Sequence, residues 1–526
     1  MSKIISSGDA VGLIGDGDCV LFGGSGGGHG LAEELIEALA KRFQRTGAPR
    51  GLTLVSIVSV GDFDSKGFGR LALPGLAKRV ISGGFNNCPK IALMAIGDEI
   101  EAYTLPQGAL SQLCREMAAG RPGLVTTVGL HTFVDPRQAG GRQSASATED
   151  LVELITIHGE AHLLYKPIPI DVAIIRGTTA DEKGNLTAEE EAYFGENLSI
   201  AQATRRRGGI VIAQAKHLAA AGTLPGKAVK VPAALVDHVV IEPRQRQTYW
   251  QDMNPAFAGF TKAPDSALAA LPFDIRKAMA RRAAMELFPG AIVNLGFGVS
   301  NGISPVAAEE GFYRELTLTV EQGIFGGAPA GGLDAGAGAN YDAMIDQPYQ
   351  FDFYDGGGLD LAFLSFAEVD REGNVNVSRY ANSVNGPGGF INISQGSPKV
   401  VFSGTLTTGG LKIAPDGAGG VALESEGKHR KWVPAVQQIT FSGTYARERG
   451  QEVLYVTDRA VFRLQADGIV LAEIADGVDL DRDVLGQIGF EVRVADDLKP
   501  MDPRLFREPP MGLVEEFRSR PPIKRR

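Results

Sequence analysis

Two stretches of this 526-residue chain repeat one another, and the repeat limits the fold more than any other feature. Asp16-Gly-Asp-Cys-Val-Leu-Phe-Gly23 parallels Pro289-Gly-Ala-Ile-Val-Asn-Leu-Gly296. Further on, Ala173-Ile-Ile leading to Ala180-Asp-Glu-Lys-Gly-Asn-Leu186 parallels Ala362-Phe-Leu leading to Val369-Asp-Arg-Glu-Gly-Asn-Val375. Each pair keeps strand, turn and glycine in the same order, so the chain reads as two similar halves. A chain this long exceeds one core. Strands alternating with helix-like segments argue for two open α/β domains with mostly parallel pairing. The expected boundaries are residues 1–250, a polar connector over 251–271 without clear period, and 272–526, opening with a helix over 273–288. The two repeated elements lie further apart in the first half, which marks an insertion there. Two such domains facing one another would place a ligand cleft between them.

In chain order, Ser6-Ser-Gly-Asp9 starts a short helix, Asp18–Phe22 reads as a strand, and Gly23–Gly30 is a glycine loop that carries His29. Leu31, Leu35, Ile36, Leu39, Ala40 and Phe43 then fall at helical spacing until Gly47. Strand, glycine loop and helix form an anion-binding arrangement, because helix N-termini favour negative charge. It is not the dinucleotide fingerprint: after Gly24-Ser-Gly26 the third glycine is replaced by His29, and after Gly296-Phe-Gly298 by Asn301. Further strands are expected at Leu52–Val60, Arg79–Ser82, Asp171–Arg176 and Gly209–Ala213, with an apolar run over Leu124–Leu130 and a polar loop over 135–150.

Composition narrows the class of function. The net charge is −10 and there is no basic stripe, which argues against nucleic acid. The only basic run at an end, Lys524-Arg-Arg526, is short. No apolar run approaches the ~18 residues of a membrane span, and the N-terminus lacks the apolar core of a secretion signal. The three cysteines, Cys19, Cys88 and Cys114, are isolated, which fits a reduced cytoplasm and no structural zinc. Glycine is abundant, 68 residues of 526, against an ordinary share of roughly 7%. The glycines cluster after apolar runs, as in enzymes with close backbone approaches.

Leu316–Pro329 carries the sharpest chemical signal. An alternating β-branched run ends at Glu321, followed by Gly323, Gly326 and Gly327. A carboxylate at the end of a strand beside turns that permit positive φ lies where α/β sheets hold substrate. Asn294–Gly302 and Asn385–Ile393 are two further glycine turns. His158 and His162 are four apart but sit in strand-like surroundings, so they are not expected to bind metal. Asp181–Gly184 and Asp370–Gly373 read as tight turns, and Arg205–Arg207 and Glu189–Glu191 as solvated faces.

Glu321 in a Glu-x-Gly sequence, together with Gly386-x-Gly-Gly-Phe390 and the order of the halves, resembles the family I coenzyme A transferases. The branch it looks most similar to is the single-chain one that contains acetate and propionate CoA-transferases. Ser25–His29, Leu105–Gly108, Val134–Arg137, Arg176–Asp181 and Phe390–Gln395 extend the likeness over nearly the whole chain. The resemblance implies ping-pong exchange of CoA between short-chain carboxylic acids. It also implies Glu321 as nucleophile, a glutamyl-CoA thioester intermediate, and N–H groups of the Gly386–Phe390 loop as an oxyanion hole. Gln107 is placed as a partner that holds the glutamate. Pro387 lacks an N–H, so the donors are expected to be Gly388 and Gly389. The contacts expected for CoA and substrate are Gly296, Gly298, Asn301, Asn385, Gly386, Phe390, Gly26 and His29, although His29 equally reads as a turn cap. Phe325 stands where a smaller residue would be expected and would reshape the acyl pocket.

The chemistry suits these residues. A glutamate with an ordinary pKa of ~4.3 is ionised at pH 7 and attacks a thioester without a general base. CoA is then a substrate and no cofactor is expected. A homo-oligomer, dimer or tetramer, is the expectation from single-chain relatives. The competing readings are a thioester hydrolase using the same glutamate and a non-catalytic acyl-CoA-binding regulator.

Overall fold

The computed structural model describes residues 3–264 and 271–522. The expected connector therefore lies partly outside the described residues, as does the basic tail. The chain forms two compact units that interleave in sequence: Met1–Ala263 with Val320–Asp352 and Ala381–Asn392, and Pro264–Thr319 with Phe353–Tyr380 and Ile393–Arg526. The sequence boundaries are linear, whereas the units exchange segments. Glu321 and the Gly386–Phe390 loop consequently belong with the N-terminal unit, not with the C-terminal half.

The first unit is built on seven strands in the order His238–Ile241, Ile210–Ala219, Val172–Asp181, Cys19–Phe22, Leu52–Ser56, Ala77–Ser82, Glu101–Thr104. Every neighbouring pair is parallel. Val172–Asp181 is buried along all its length, as expected of a central parallel strand. The helix Glu33–Thr46 buries Leu35, Ile36, Leu39 and Ala40. Gly47 ends it with φ 70°, its N–H on the Phe43 carbonyl at 2.7 Å, a left-handed cap that glycine adopts without strain. The insertion is real: Leu124–Thr126, Glu160–Tyr165 and Val152–Ile157 make a separate three-stranded antiparallel sheet. His158 and His162 belong to its hairpin, not to a helix.

The second unit's sheet runs Thr317–Val320, Ile292–Leu295, Leu361–Ser365, Lys399–Ser403, Glu452–Val456, Ala460–Gln465, Gly468–Ile474 and Arg493–Pro500. The first five strands are parallel, but the next two pairings are antiparallel hairpins, which the sequence reading did not separate. The helix expected over 273–288 is shorter, Ile275–Ala284, because the Asp274 carboxylate accepts from Arg276 N and Lys277 N and sets its start.

The internal repeat holds down to single hydrogen bonds. Asp181 Oδ1 accepts from Lys183 N at 3.0 Å and Asn185 N at 2.9 Å, and Oδ2 accepts from Asn185 Nδ2 at 2.8 Å. Asp370 Oδ1 accepts from Glu372 N and Asn374 N, each at 3.0 Å, and Oδ2 from Asn374 Nδ2 at 3.0 Å. A carboxylate anchoring three donors of its own turn is a local structure that an Asp-x-x-Gly-Asn sequence dictates. Asp370→Ala is expected to lower stability by about 2–4 kcal/mol, since it orphans buried turn donors. Urea denaturation against wild type checks this.

Candidate functional site

Strand order in the first unit reverses at Cys19–Phe22, which is flanked by Leu52–Ser56 on one side and Val172–Asp181 on the other. The glycine loop 23–30 follows that strand and so sits at the switch point, where ligands usually bind. Here the protein itself covers it. Every residue from 23 to 30 is buried except Gly26, which is half-buried. A Cβ at Gly27 would come within 2.3 Å of Trp250 and 2.6 Å of the Leu333 carbonyl, one at Gly28 within 2.8 Å of Tyr249, and one at Gly30 within 2.6 Å of Tyr193. Gly27, Gly28 and Gly30 leave room for aromatic rings that lie on their backbone. Arg176 secures the loop from beneath. It pairs with Glu191 through Nε–Oε1 at 3.0 Å and Nη2–Oε2 at 2.6 Å, and its Nη1 donates to the Leu31 carbonyl at 2.9 Å. Glu191 is therefore a buried ion-pair partner and no part of a solvated face.

His29 follows the same logic. Its ring is fully buried, with Nδ1 3.4 Å from the Ser25 carbonyl and Nε2 3.2 Å from the Asp334 carbonyl. Burial lowers its pKa and keeps the ring neutral, against the two main-chain carbonyls that favour the charged form. It ties the loop together in this structure, as the turn-cap reading of His29 expects. We expect Gly27→Ala to lower the melting temperature by several degrees, because the Leu333 main chain cannot yield. The KM for acyl-CoA in the folded protein should stay unchanged; calorimetry with steady-state kinetics checks both.

The second cluster is different in kind. Leu105-Pro-Gln-Gly108 leads into the helix Gln107–Ala118. Its first turn is docked on the 383–392 segment: Gln107 N donates to the Gly388 carbonyl at 2.9 Å, and Gly108 N to Asn392 Oδ1 at 3.1 Å. Gly388 N in turn donates to the Gly83 carbonyl at 2.7 Å, and Phe85 N to the Asn385 carbonyl at 2.8 Å. Gly386, with φ 77°, could not carry a side chain, as its Cβ would lie 2.6 Å from Gly84 Cα. Asn385 and Gly386 thus form a main-chain seam with residues 83–85. The Gly388 N–H is consumed by this seam, so it is not an oxyanion donor, contrary to expectation. The Gly389 N–H donates to no described residue. Phe390 N closes back on the Pro387 carbonyl at 3.0 Å, and its side chain is 9% exposed.

Beside this turn lies Gln107. It is completely buried, yet neither its Nε2 nor its Oε1 has a hydrogen-bond partner among the described residues. The expected hold on Glu321 is therefore not a hydrogen bond here. A Cβ at Gly388 would sit 3.8 Å from Gln107 Oε1, which puts the free carboxamide against the Gly388–Gly389 turn. Buried amides are normally satisfied, and one left open costs about 1–3 kcal/mol.

Glu321 is half-buried in the turn that follows Thr317–Val320, in the same compact unit. Gly323 closes that turn, with φ 107° and its N–H on the Val320 carbonyl at 3.0 Å. A Cβ there would lie 2.0 Å from the Ile345 carbonyl, so glycine is obligatory. The next residue, Gln322, was not singled out in the sequence. It is 5% exposed and its Nε2 reaches Ser25 Oγ at 3.3 Å, joining the glutamate turn to the glycine loop. Phe325 is half-buried in a short strand, Ile324–Phe325, paired with Ala343–Met344.

Three expected CoA contacts lie in the second unit. Gly296 N is bound to the Phe363 carbonyl at 2.7 Å, and a Cβ there would meet Leu364 at 2.8 Å. Gly298 is exposed with φ 87°, and Asn301 is half-buried in the one-turn helix Gly298–Gly302. Among the described residues no group of three or more His, Cys, Asp or Glu could hold a metal ion, and no helix is long and apolar enough to cross a membrane.

Known proteins share this architecture. The family profile described as Coenzyme A transferase matches residues 4–242. The chain is 44% identical to the caffeate CoA-transferase of Acetobacterium woodii, over 98% of this chain and 99% of that one. It is 43% identical to the acetate CoA-transferase YdiF of Escherichia coli (strain K12), over 97% and 96%. The crystal structure of the acyl-CoA transferase YdiF apoenzyme from Escherichia coli O157:H7 superposes with a TM-score of 0.93 at 42% identity, covering 97% of both chains. A second structure of that protein is a thioester complex with CoA, with a TM-score of 0.93. With full-length likeness in both sequence and fold, the chain belongs to the family I coenzyme A transferases, in the single-chain branch, and is an enzyme that transfers CoA.

Proposed function

We propose that this enzyme exchanges CoA between short-chain carboxylic acids, with Glu321 as the nucleophile. The Glu321 carboxylate adds to the acyl-CoA carbonyl, and the collapse expels CoA thiolate and leaves a mixed anhydride. The thiolate then attacks the glutamyl carbonyl, releasing the first acid and forming glutamyl-CoA thioester. The incoming carboxylate runs the same steps in reverse. No proton is consumed overall, so no general base is required. Each addition places negative charge on a carbonyl oxygen, and preorganised donors stabilise it.

The observation that carries this reading is the buried, unpartnered carboxamide of Gln107 against the Gly388–Gly389 turn. Gln107 Nε2 and Gly389 N–H are the two donors we assign to the oxyanion, in place of Gly388. Two supports come from relatives: two of them are named for CoA transfer to acids, and one is described as a thioester complex with CoA. Asn385, Gly386, Gly296, Gly298 and Asn301 remain our candidates for lining the CoA path. A cytoplasmic homo-oligomer belongs to the same reading, and analytical ultracentrifugation reads the assembly.

The test is mass spectrometry after incubation with acetyl-CoA and no acceptor acid. Wild type should gain one CoA on the peptide holding Glu321, and added acetate should discharge it. Glu321→Ala should gain none. An unmodified wild-type peptide overturns the nucleophile. Discharge by aromatic acids but not by acetate overturns the substrate class alone.

A further inference from the structure

A carboxyl group that the chemistry above does not use lies close to Gln107. Glu196 is 2% exposed and stands at the N-terminal boundary of the helix Asn197–Arg206, yet its side chain makes no capping bond to that helix. Instead Glu196 Oε2 accepts from Ser111 Oγ at 3.0 Å, both side chains being buried. Ser111 is four residues after Gln107 on the helix Gln107–Ala118, so both fall on one face, one turn apart. Glu196 Oε1 has no partner among the described residues.

The surroundings make this arrangement expensive. The main chain continues the contact, with Gln347 N donating to the Gly195 carbonyl at 3.0 Å. The groups facing Glu196 are Cys114 on the Gln107 helix, Tyr193 on its own segment, and Asp346 from the segment before Gln347. Lys230 approaches Asp346 at 3.8 Å. Buried side-chain polar atoms without a partner among the described residues gather on Gln107, Glu196, Asn197, Gln347 and Gln350. The three segments that carry them touch one another. A buried carboxyl with one side-chain donor and one oxygen left open is costly, and an apolar residue would pack there without that cost. Perturbed acids of this kind gather at functional sites.

We propose that Glu196 is a positioning residue, holding the first turns of the Gln107 helix through Ser111 so that the Gln107 carboxamide meets the reacting carbonyl. It rests on the reading of Gln107 as an oxyanion donor. Displacement of such a donor by an ångström is enough to lose on the order of 100-fold in rate. Burial pushes the Glu196 carboxyl up to about 7, against the Ser111 bond and together with the negative charge of Asp346. The ionised form accepts the stronger, charge-assisted bond from Ser111. The hold is therefore tightest above neutrality and relaxes as pH falls through about 7.

The experiment is steady-state kinetics from pH 6 to 8 on wild type, Glu196→Leu, Glu196→Gln, Ser111→Ala and the Glu196→Leu/Ser111→Ala pair. Rates are taken per site able to form the CoA adduct. Wild-type kcat should fall several-fold from pH 8 to 6. Glu196→Leu should lose ~10–100-fold in kcat with the KM for acyl-CoA nearly unchanged. Glu196→Gln, which keeps an acceptor for Ser111, should recover most of that loss and give a flat profile. Ser111→Ala should lose as much as Glu196→Leu, and the pair no more than either, since they act as one contact. Additive losses, a wild-type pH profile in Glu196→Gln, or a fall in folded protein with normal kcat per labelled site would each overturn the proposal. If Gln107→Leu turns over normally, the reading of Gln107 fails instead, and that outcome is separate.

Discussion

Glu321→Gln is expected to lower the rate of CoA transfer by about 10⁴-fold or more, with a melting temperature within two or three degrees of wild type. The magnitude follows from the role. A nucleophile forms the covalent bond that divides one difficult exchange into two easier ones, and removing such a group costs nearly all the covalent rate enhancement. A carboxamide has almost the same shape, so the packing of the turn survives. What shapes this turn is main chain: the Gly323 N–H on the Val320 carbonyl at 3.0 Å and the Ile345 N–H on the Gly323 carbonyl at 2.8 Å. Stopped assays of acyl-CoA consumption, run beside calorimetry, separate the two quantities. A fall in stability that tracks the lost activity would make Glu321 a structural residue.

Gln107→Leu should act in opposite directions on rate and stability. Losing one oxyanion donor costs ~10²–10³ in kcat, about 3–4 kcal/mol of transition-state stabilisation. The folded protein, however, gains. The wild-type carboxamide is fully buried with both polar atoms unpartnered among the described residues, and a leucine of similar size removes that penalty. A stabilisation of about 1–3 kcal/mol is expected, seen as a higher urea midpoint. A destabilised Gln107→Leu with unimpaired turnover would mean that the amide is satisfied by the protein and takes no part in the reaction.

Much of the architecture could be read from local pattern. Apolar runs placed the strands near Cys19–Phe22, Ala77–Ser82 and Val172–Asp181, with ends displaced by a few residues. Val172–Asp181 extends five residues beyond the expected Arg176 because its partner Ile210–Ala219 is equally long. The glycine loop shows where such reading stops. Gly23–Gly30 has the composition of a phosphate cradle, but the aromatic rings that cover it, Tyr193, Tyr249 and Trp250, lie far along the chain and leave no local signal. The donor assignment failed at Gly388 for the same reason: its N–H is taken by the carbonyl of Gly83, some 300 residues earlier. Glu191, read as part of a charged face, is buried by a partner, Arg176, on a different strand.

The sequence by itself determined the α/β class, the internal repeat with its aspartate-anchored turns, the resemblance to a family, and Glu321 at a strand end beside a run of glycines. These depend on period, turn chemistry and spacing, which are properties of short stretches. Only the tertiary structure decided which segments share a compact unit, which glycines lie under rings, which N–H groups are already bound, and that Gln107 and Glu196 carry buried polar atoms with no partner among the described residues. Those depend on burial and on hydrogen-bond partners distant in sequence, and neither exists until the chain has folded.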